Sequence, residues 1–228
     1  MEQAITHPWA LSETEAVELQ RQLAMRVERC DRLDAVATVA GVDVAYDQYS
    51  NKLIAAVVVL NARTFEIVCS ATAQDEERFP YIPGLFSFRE LPSIAKALQK
   101  QALTPDLIIC DGQGIAHPRR FGLACHLGVL FDIPTIGCGK TLLLGLAEAA
   151  QKKRGVISPL IDNEEIVGAT LCTQDDTKPV YVSIGHRVSL ATACAWVLKA
   201  STKYRLPETT RAADHAVKLA MKAVTGRP

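Results

Sequence analysis

No run of apolar residues in this 228-residue chain approaches the ~20 that a membrane-spanning helix needs. The opening Met1-Glu2-Gln3-Ala4-Ile5-Thr6-His7 lacks a basic stretch followed by an apolar one, so no secretory signal is expected. There is no CxxC pair. The seven cysteines (Cys30, Cys69, Cys110, Cys125, Cys138, Cys172, Cys194) are odd in number and mostly embedded in apolar runs. That pattern disfavours zinc and disulfides and predicts reduced core residues of a cytoplasmic protein. Neither sign of charge dominates, with 25 Lys+Arg against 25 Asp+Glu. A nucleic-acid-binding domain is often basic throughout, so any such role must rest on local clusters: Arg119-Arg120, Lys152-Lys153-Arg154, or Lys199, Lys203 and Arg205. The plainer reading of each cluster is a solvated face. Internal repeats and low-complexity segments are also missing. What is present is 49% hydrophobic residues and a mean hydropathy of +0.11, enough for a sizeable core and too apolar for disorder.

Ser12-x-x-Glu15 opens a stretch with Ala16, Leu19, Leu23 and Val27 at helical spacing, which predicts a capped helix over 12–29. Residues 37–46, 52–60 and 65–73 are β-branched runs separated by short turns, the pattern of an antiparallel meander. Phe79-Pro80-Tyr81-Ile82-Pro83-Gly84 breaks regular structure and predicts a stiff, exposed loop. A helix over 87–101 follows. Strand 107–110, helix 121–131 and strand 135–137 then form a βαβ unit with parallel, right-handed pairing. Residues 155–157, 165–172 and 180–184 predict shorter strands, and helices over 190–203 and 209–224 close the chain. The simplest organisation is one domain over residues 1–228.

Residues 107–140 concentrate the chemistry. A short apolar strand ends in Asp111, followed by Gly112-Gln113-Gly114 and His117-Pro118-Arg119-Arg120. Strand ends beside glycine-rich turns are where α/β sheets build sites. Asp43 lies mid-strand between Val42 and Val44, and a carboxylate there is costly unless paired or metal-bound. Two acids on neighbouring strands could share Mg²⁺, which prefers carboxylate oxygens; the bland alternatives are a buried ion pair for Asp43 and an Asp-Gly turn for Asp111. Ser87-x-x-Glu90 has the form of a capping box, so local sequence leaves cap and ligand open for Glu90. Asp214 can equally be a helix-surface acid paired with Arg211 or Lys218. Gly139-Lys140-Thr141 lacks the glycine that a phosphate loop needs five residues earlier, since Pro134 stands there, which disfavours ATP binding. Lys140 could still contact a phosphate. No serine elbow is present.

Together, residues 39–46, 81–90, 111–122, Gly137-Cys138-Gly139-Lys140 and 206–211 resemble the endonuclease V family. The resemblance implies an α/β, RNase H-like fold: a mixed five-stranded sheet, three antiparallel strands followed by parallel ones, flanked by helices. It implies Mg²⁺-dependent hydrolysis, with Mn²⁺ as a substitute, of the second phosphodiester 3′ to a deaminated base, chiefly deoxyinosine, leaving 3′-hydroxyl and 5′-phosphate ends. By the same resemblance Asp43, Asp111 and Glu90 are the metal ligands. Asp214, or its neighbour His215, completes the catalytic set, and Lys140 and His117 assist electrostatically. Tyr81, Pro83, Gly84 and Leu85 form a wedge that fills the space left by an extruded base. Gly112, Gly122 and Leu123 line the base pocket, and Arg119 and Arg120 contact backbone phosphates. The expected partner is DNA carrying deoxyinosine or other deaminated bases, bound by a monomer without membrane association. Inosine in single-stranded RNA, or lesion binding without cleavage, are the competing readings.

Overall fold

Ser12 starts the first helix as its sequence predicts. In the computed structural model, which describes residues 1–148 and 151–226, α1 spans Glu13–Ala24 with both arms of the capping box in place. The meander follows: β1 (Thr38–Tyr46) pairs antiparallel with β2 (Lys52–Asn61), which pairs antiparallel with β3 (Ile67–Glu76). α2 (Phe86–Gln99) leads to β4 (Leu107–Cys110), α3 (Leu123–Phe131) and β5 (Thr135–Gly139). β4 lies parallel to both β1 and β5, the pairing that the βαβ pattern predicts. β6 (Ile157–Asp162), β7 (Glu165–Leu171), β8 (Val180–His186), α4 (Leu190–Ala200) and α5 (Glu208–Thr225) complete the described elements.

All eight strands join one sheet in the order β3-β2-β1-β4-β5-β8-β7-β6. The arrangement is an α/β, RNase H-like fold. It has more strands than the five expected, and those beyond β5 are antiparallel to their neighbours. Asn163 and Glu164 supply one reason, since both take positive φ between the paired Asp162 and Glu165. A two-residue turn of that hand reverses the chain at once and adds β7 as a hairpin partner of β6.

Both faces of the central strands are buried, so β4 reads as an unbroken apolar run. Leu107 and Ile109 join one core with Val39, Ala193, Val197 and Ala213. Ile108 and Cys110 join the other, with Ala40, Val42, Val44, Leu91 and Ile94. α2 therefore covers one face of the sheet, while α4 and α5 cover the other. The open end lies at the C-terminal ends of β1, β4 and β5.

Candidate active site

Strand register brings the two sequence-predicted acids together. Val42 pairs with Cys110 at the end of the parallel β1–β4 ladder, so Asp43 and Asp111 each follow directly on the last paired residues of two neighbouring strands. Asp43 points to the same face as Gly41, and that face meets α5. A Cβ on Gly41 would lie 2.0 Å from the Thr209 carbonyl oxygen, so the first turn of α5 sits directly on β1 there. From that contact α5 runs on toward Ile54 and Ala56, where Val217 is buried with them. Asp214 lies between these two anchor points. Glu90 arrives from the opposite face on α2 and is buried, accepting a hydrogen bond from the Tyr46 hydroxyl at 3.0 Å.

The acids feel one another. Burial pushes the Asp43 carboxyl up to about 6, with Asp111 and Asp214 adding repulsion. Burial likewise pushes Glu90 up to about 8, although the Tyr46 hydrogen bond opposes this, and Asp43 and Asp111 raise it further. Lys140 is the nearby counter-charge: its ammonium pairs with Asp111. Against the cost of its own burial, Asp111, Asp43 and Asp214 hold it above the usual lysine range. Crowded carboxylates with one lysine form an oxygen-rich, net negative site whose charge a hard divalent cation would balance, and Mg²⁺ and Mn²⁺ take such ligands. The donor set therefore fits the metal that the resemblance implies.

Of the pair on α5, Asp214 is the one whose charge acts on Asp43 and Lys140. It also forms the surface ion pair to Lys218, 2.8 Å, that helix spacing predicts, whereas Arg211 pairs with Glu208 instead. His215 is exposed and lines a cavity of about 310 Å³ together with Lys140, Thr210, Arg211 and Asp214. The capping-box reading of Ser87 and Glu90 is not realised. The helix starts one residue earlier, without a side-chain cap. The Ser87 hydroxyl faces His126 Nδ1 at 2.9 Å, and Glu90 is bonded to Tyr46.

Beside the acids, a cavity of about 270 Å³ gathers most of the predicted wedge and pocket. Tyr81, Pro83 and Gly84 line it on one side and Gly112, Gly122 and Leu123 on the other. Tyr81 is 67% exposed at the loop tip. Gly122 has no room for a side chain, because a Cβ would meet the Gln113 carbonyl oxygen at 2.3 Å. Leu85 departs from the wedge expectation: it is 1% exposed and packs with Ala16, Phe79 and Phe88. It anchors the loop rather than extending it, since a leucine beside an apolar cluster gains more by burial than at an exposed tip.

His117 also departs from its expected electrostatic role. Burial, together with Arg119 and Arg120, brings its imidazole down to about 4, so it is neutral near pH 7. Its Nε2 lies 3.0 Å from the Gly84 carbonyl oxygen and must donate, because a carbonyl only accepts; Nδ1 accepts from the Arg119 amide at 3.2 Å. The guanidiniums are occupied as well. Arg119 bonds the Gly84 carbonyl at 2.6 Å and the Gln20 side chain. Arg120 pairs with Asp162 and Glu165, both at 2.7 Å, tying the loop to the β6–β7 hairpin. In this arrangement both arginines serve the scaffold.

Three contributors escaped the sequence reading. Tyr46 was visible as the last residue of the strand that carries Asp43. Gln20 is a polar residue on the apolar stripe of α1, between Ala16 and Leu23. Arg205, which the sequence shows only as part of a basic cluster, holds the Lys140 carbonyl oxygen at 2.7 Å. A separate acid–histidine group, Glu28, Asp132 and His186, places its ligand atoms within 4.8 Å of one another. It belongs to the other end of β5, because His186 pairs with Thr135, the first residue of that strand. Arg32 bonds both carboxylates there, at 2.7 and 2.6 Å, so the group is an ion-pair network.

Comparison with known proteins follows the same lines. Residues 21–215 match the family described as Endonuclease V. An endonuclease V of Roseiflexus castenholzii is 48% identical over 214 residues, 94% of this chain and 96% of the relative. The crystal structure of endonuclease V from Streptomyces avermitilis superposes with a TM-score of 0.92 at 47% identity, covering 97% of this chain and 98% of that one. A Ciona intestinalis endonuclease V variant, bound to a 23mer DNA containing an inosine followed by a ribo-adenosine, gives 0.84 at 28% identity, covering 94% and 100%.

Proposed function

Because the chain belongs to the endonuclease V family, we propose that it is a repair nuclease that binds DNA at deoxyinosine and cuts the second phosphodiester on the 3′ side. The carrying observation is an adjacency. Asp111 belongs to the acid cluster, and Gly112, next in the chain, lines the cavity under the Tyr81 loop. Recognition and cutting are thus built one residue apart. The Ciona intestinalis relative, bound to inosine-containing DNA, supports the substrate class.

Asp43, Asp111 and Glu90 would hold Mg²⁺, with Mn²⁺ as a substitute, and Asp214 completes the set with His215 beside it. Such an ion, when bound, lowers the pKa of a water for attack and offsets charge on the phosphate. The protein's own groups do the rest. Lys140, held cationic by the acids around it, faces the developing negative charge. Tyr46 fixes the Glu90 carboxyl. Tyr81, stiffened by Pro83, fills the stack left by an extruded base, and a mispaired base is cheap to extrude. Gly112 and Gly122 add no side chains of their own to the pocket lining, which leaves their backbone amides and carbonyls for the base edge.

The test is cleavage of a duplex with one deoxyinosine in Mg²⁺, with the cut mapped to the nucleotide. Incision at the second bond 3′ to the lesion is the expected result. Equal or better cleavage of a matched inosine-containing RNA makes the protein a ribonuclease instead. Lesion binding without any cutting makes it a recognition module.

A further inference from the structure

Gln20 sits on α1, outside the matched residues 21–215, and is 1% exposed on the face of the helix that meets the body of the protein. A buried amide is costly unless its donors and acceptor are used. Here all are used, and the partners are the two walls of one cavity. Its Nε2 donates to the Gly84 carbonyl at 2.9 Å, in the Tyr81 loop, and to the Phe121 carbonyl at 3.1 Å, next to pocket-lining Gly122. Its Oε1 accepts from Arg119 Nε. Arg119 and His117 add their own hydrogen bonds to the same Gly84 oxygen. Gly84 has φ +81, a left-handed conformation that only glycine takes without strain, so the loop turns at the atom group these donors grip. The other two donors come from the pocket's own loop. Gln20 differs from them in coming from a separate element, α1, and it too bonds both walls.

We propose that Gln20 is a positioning residue for lesion recognition: it sets the spacing between the Tyr81–Gly84 loop and the Phe121–Gly122 wall, and so fixes the wedge over the base pocket. The inference rests on the proposed reading of that cavity as the lesion site. It makes α1 part of the recognition apparatus, although no α1 side chain other than Gln20 lines the cavity.

Two substitutions test it. Gln20→Met keeps length and volume and removes every hydrogen bond. Gln20→Glu keeps shape and the acceptor for Arg119, removes the donor to the two carbonyls and sets a carboxylate oxygen against them. The readout is the ratio of affinities for deoxyinosine-containing and undamaged duplexes of one sequence, in the wild-type and Tyr81→Ala backgrounds. Both variants are expected to lower the ratio about tenfold, by weakening lesion binding, with undamaged binding little changed and the melting temperature lowered, because buried groups lose their partners. Two lost hydrogen bonds are of that order. Because Gln20 acts through the wedge, the loss is expected to disappear once Tyr81 is gone. Unchanged selectivity in both Gln20 variants, with Tyr81→Ala lowering it, overturns the role of Gln20 and leaves the lesion site standing. An equal loss in both backgrounds also overturns it, because Gln20 then acts elsewhere. If the wild type shows no preference for deoxyinosine, the cavity reading falls and this inference with it.

Discussion

Asp43 was readable from the sequence because a carboxylate inside a valine-rich strand needs a reason to be there, and Asp111 because it ends a strand at a glycine turn. The structure supplies the reason as register: each follows directly on the last paired residues of the β1–β4 ladder. Glu90 was less legible, because Ser87 three residues earlier imitates a cap, and only packing shows that Ser87 faces His126 instead. His117 could not be read at all. Its neutrality comes from burial and from Arg119 and Arg120, which a local pattern does not encode. If the acids exist to hold a cation, their mutual repulsion is a cost the fold carries for function. Asp43→Asn removes part of that repulsion at nearly constant volume. Cleavage is expected to fall at least about 10³-fold, while deoxyinosine binding stays within about threefold and the melting temperature holds or rises. Single-turnover cleavage, equilibrium binding and thermal melting decide it. A large drop in melting temperature would make Asp43 a structural ion partner.

At the level of elements, the meander and the βαβ unit were legible because alternation and loop length determine them. The antiparallel additions β6 to β8 were legible as strands but not as members of the same sheet. Their place depends on the Asn163-Glu164 turn and on pairing between β5 and β8, which are more than forty residues apart in the chain. The seating of α5 on β1 was equally hidden, although Gly41 lies in the same motif as Asp43. That glycine is a contact device: with no Cβ it lets Thr209 approach, and the approach delivers Asp214 toward Asp43. Gly41→Ala would place a methyl 2.0 Å from a backbone oxygen and 2.4 Å from its carbon, which a flexible side chain cannot relieve. The variant is expected to lose about 2 kcal/mol of stability, measured by urea unfolding. Its cleavage, assayed where it remains folded, should fall much further as α5 shifts away from Asp43. If activity simply tracks the folded fraction, α5 does not position Asp214.

On the scale of the whole molecule, zero net charge counts mildly against nucleic acid, but a total does not locate charge. Many charges are paired with one another, as in the Arg120 and Arg32 networks, so the count says little about the surface near the site. Burial of the histidines gives the molecule a pH signature. His117, His126, His186 and His7 are all held below the ordinary histidine value, burial being the largest cause in each. In the unfolded chain each takes up a proton near pH 6.5. Between that value and its lowered folded value, each binds more protons unfolded than folded, so it contributes stability that is complete above about 6.5 and lost on acidification. Asp43 and Glu90, raised to about 6 and about 8, act in the opposite sense, stabilising as pH falls. The sum is therefore a poor test and a difference is a good one. His117→Gln keeps a donor for the Gly84 carbonyl but cannot titrate. Relative to that variant, the wild type is expected to lose about 3 kcal/mol as pH falls from 6.5 to 4, its shift to about 4 taken at 1.36 kcal/mol per unit. The contributions of the acids and of the other histidines cancel in this difference. Urea unfolding of both proteins across that range measures it, and a pH-independent difference would mean that His117 takes up its proton in the fold as readily as in the unfolded chain, so that burial does not hold it neutral.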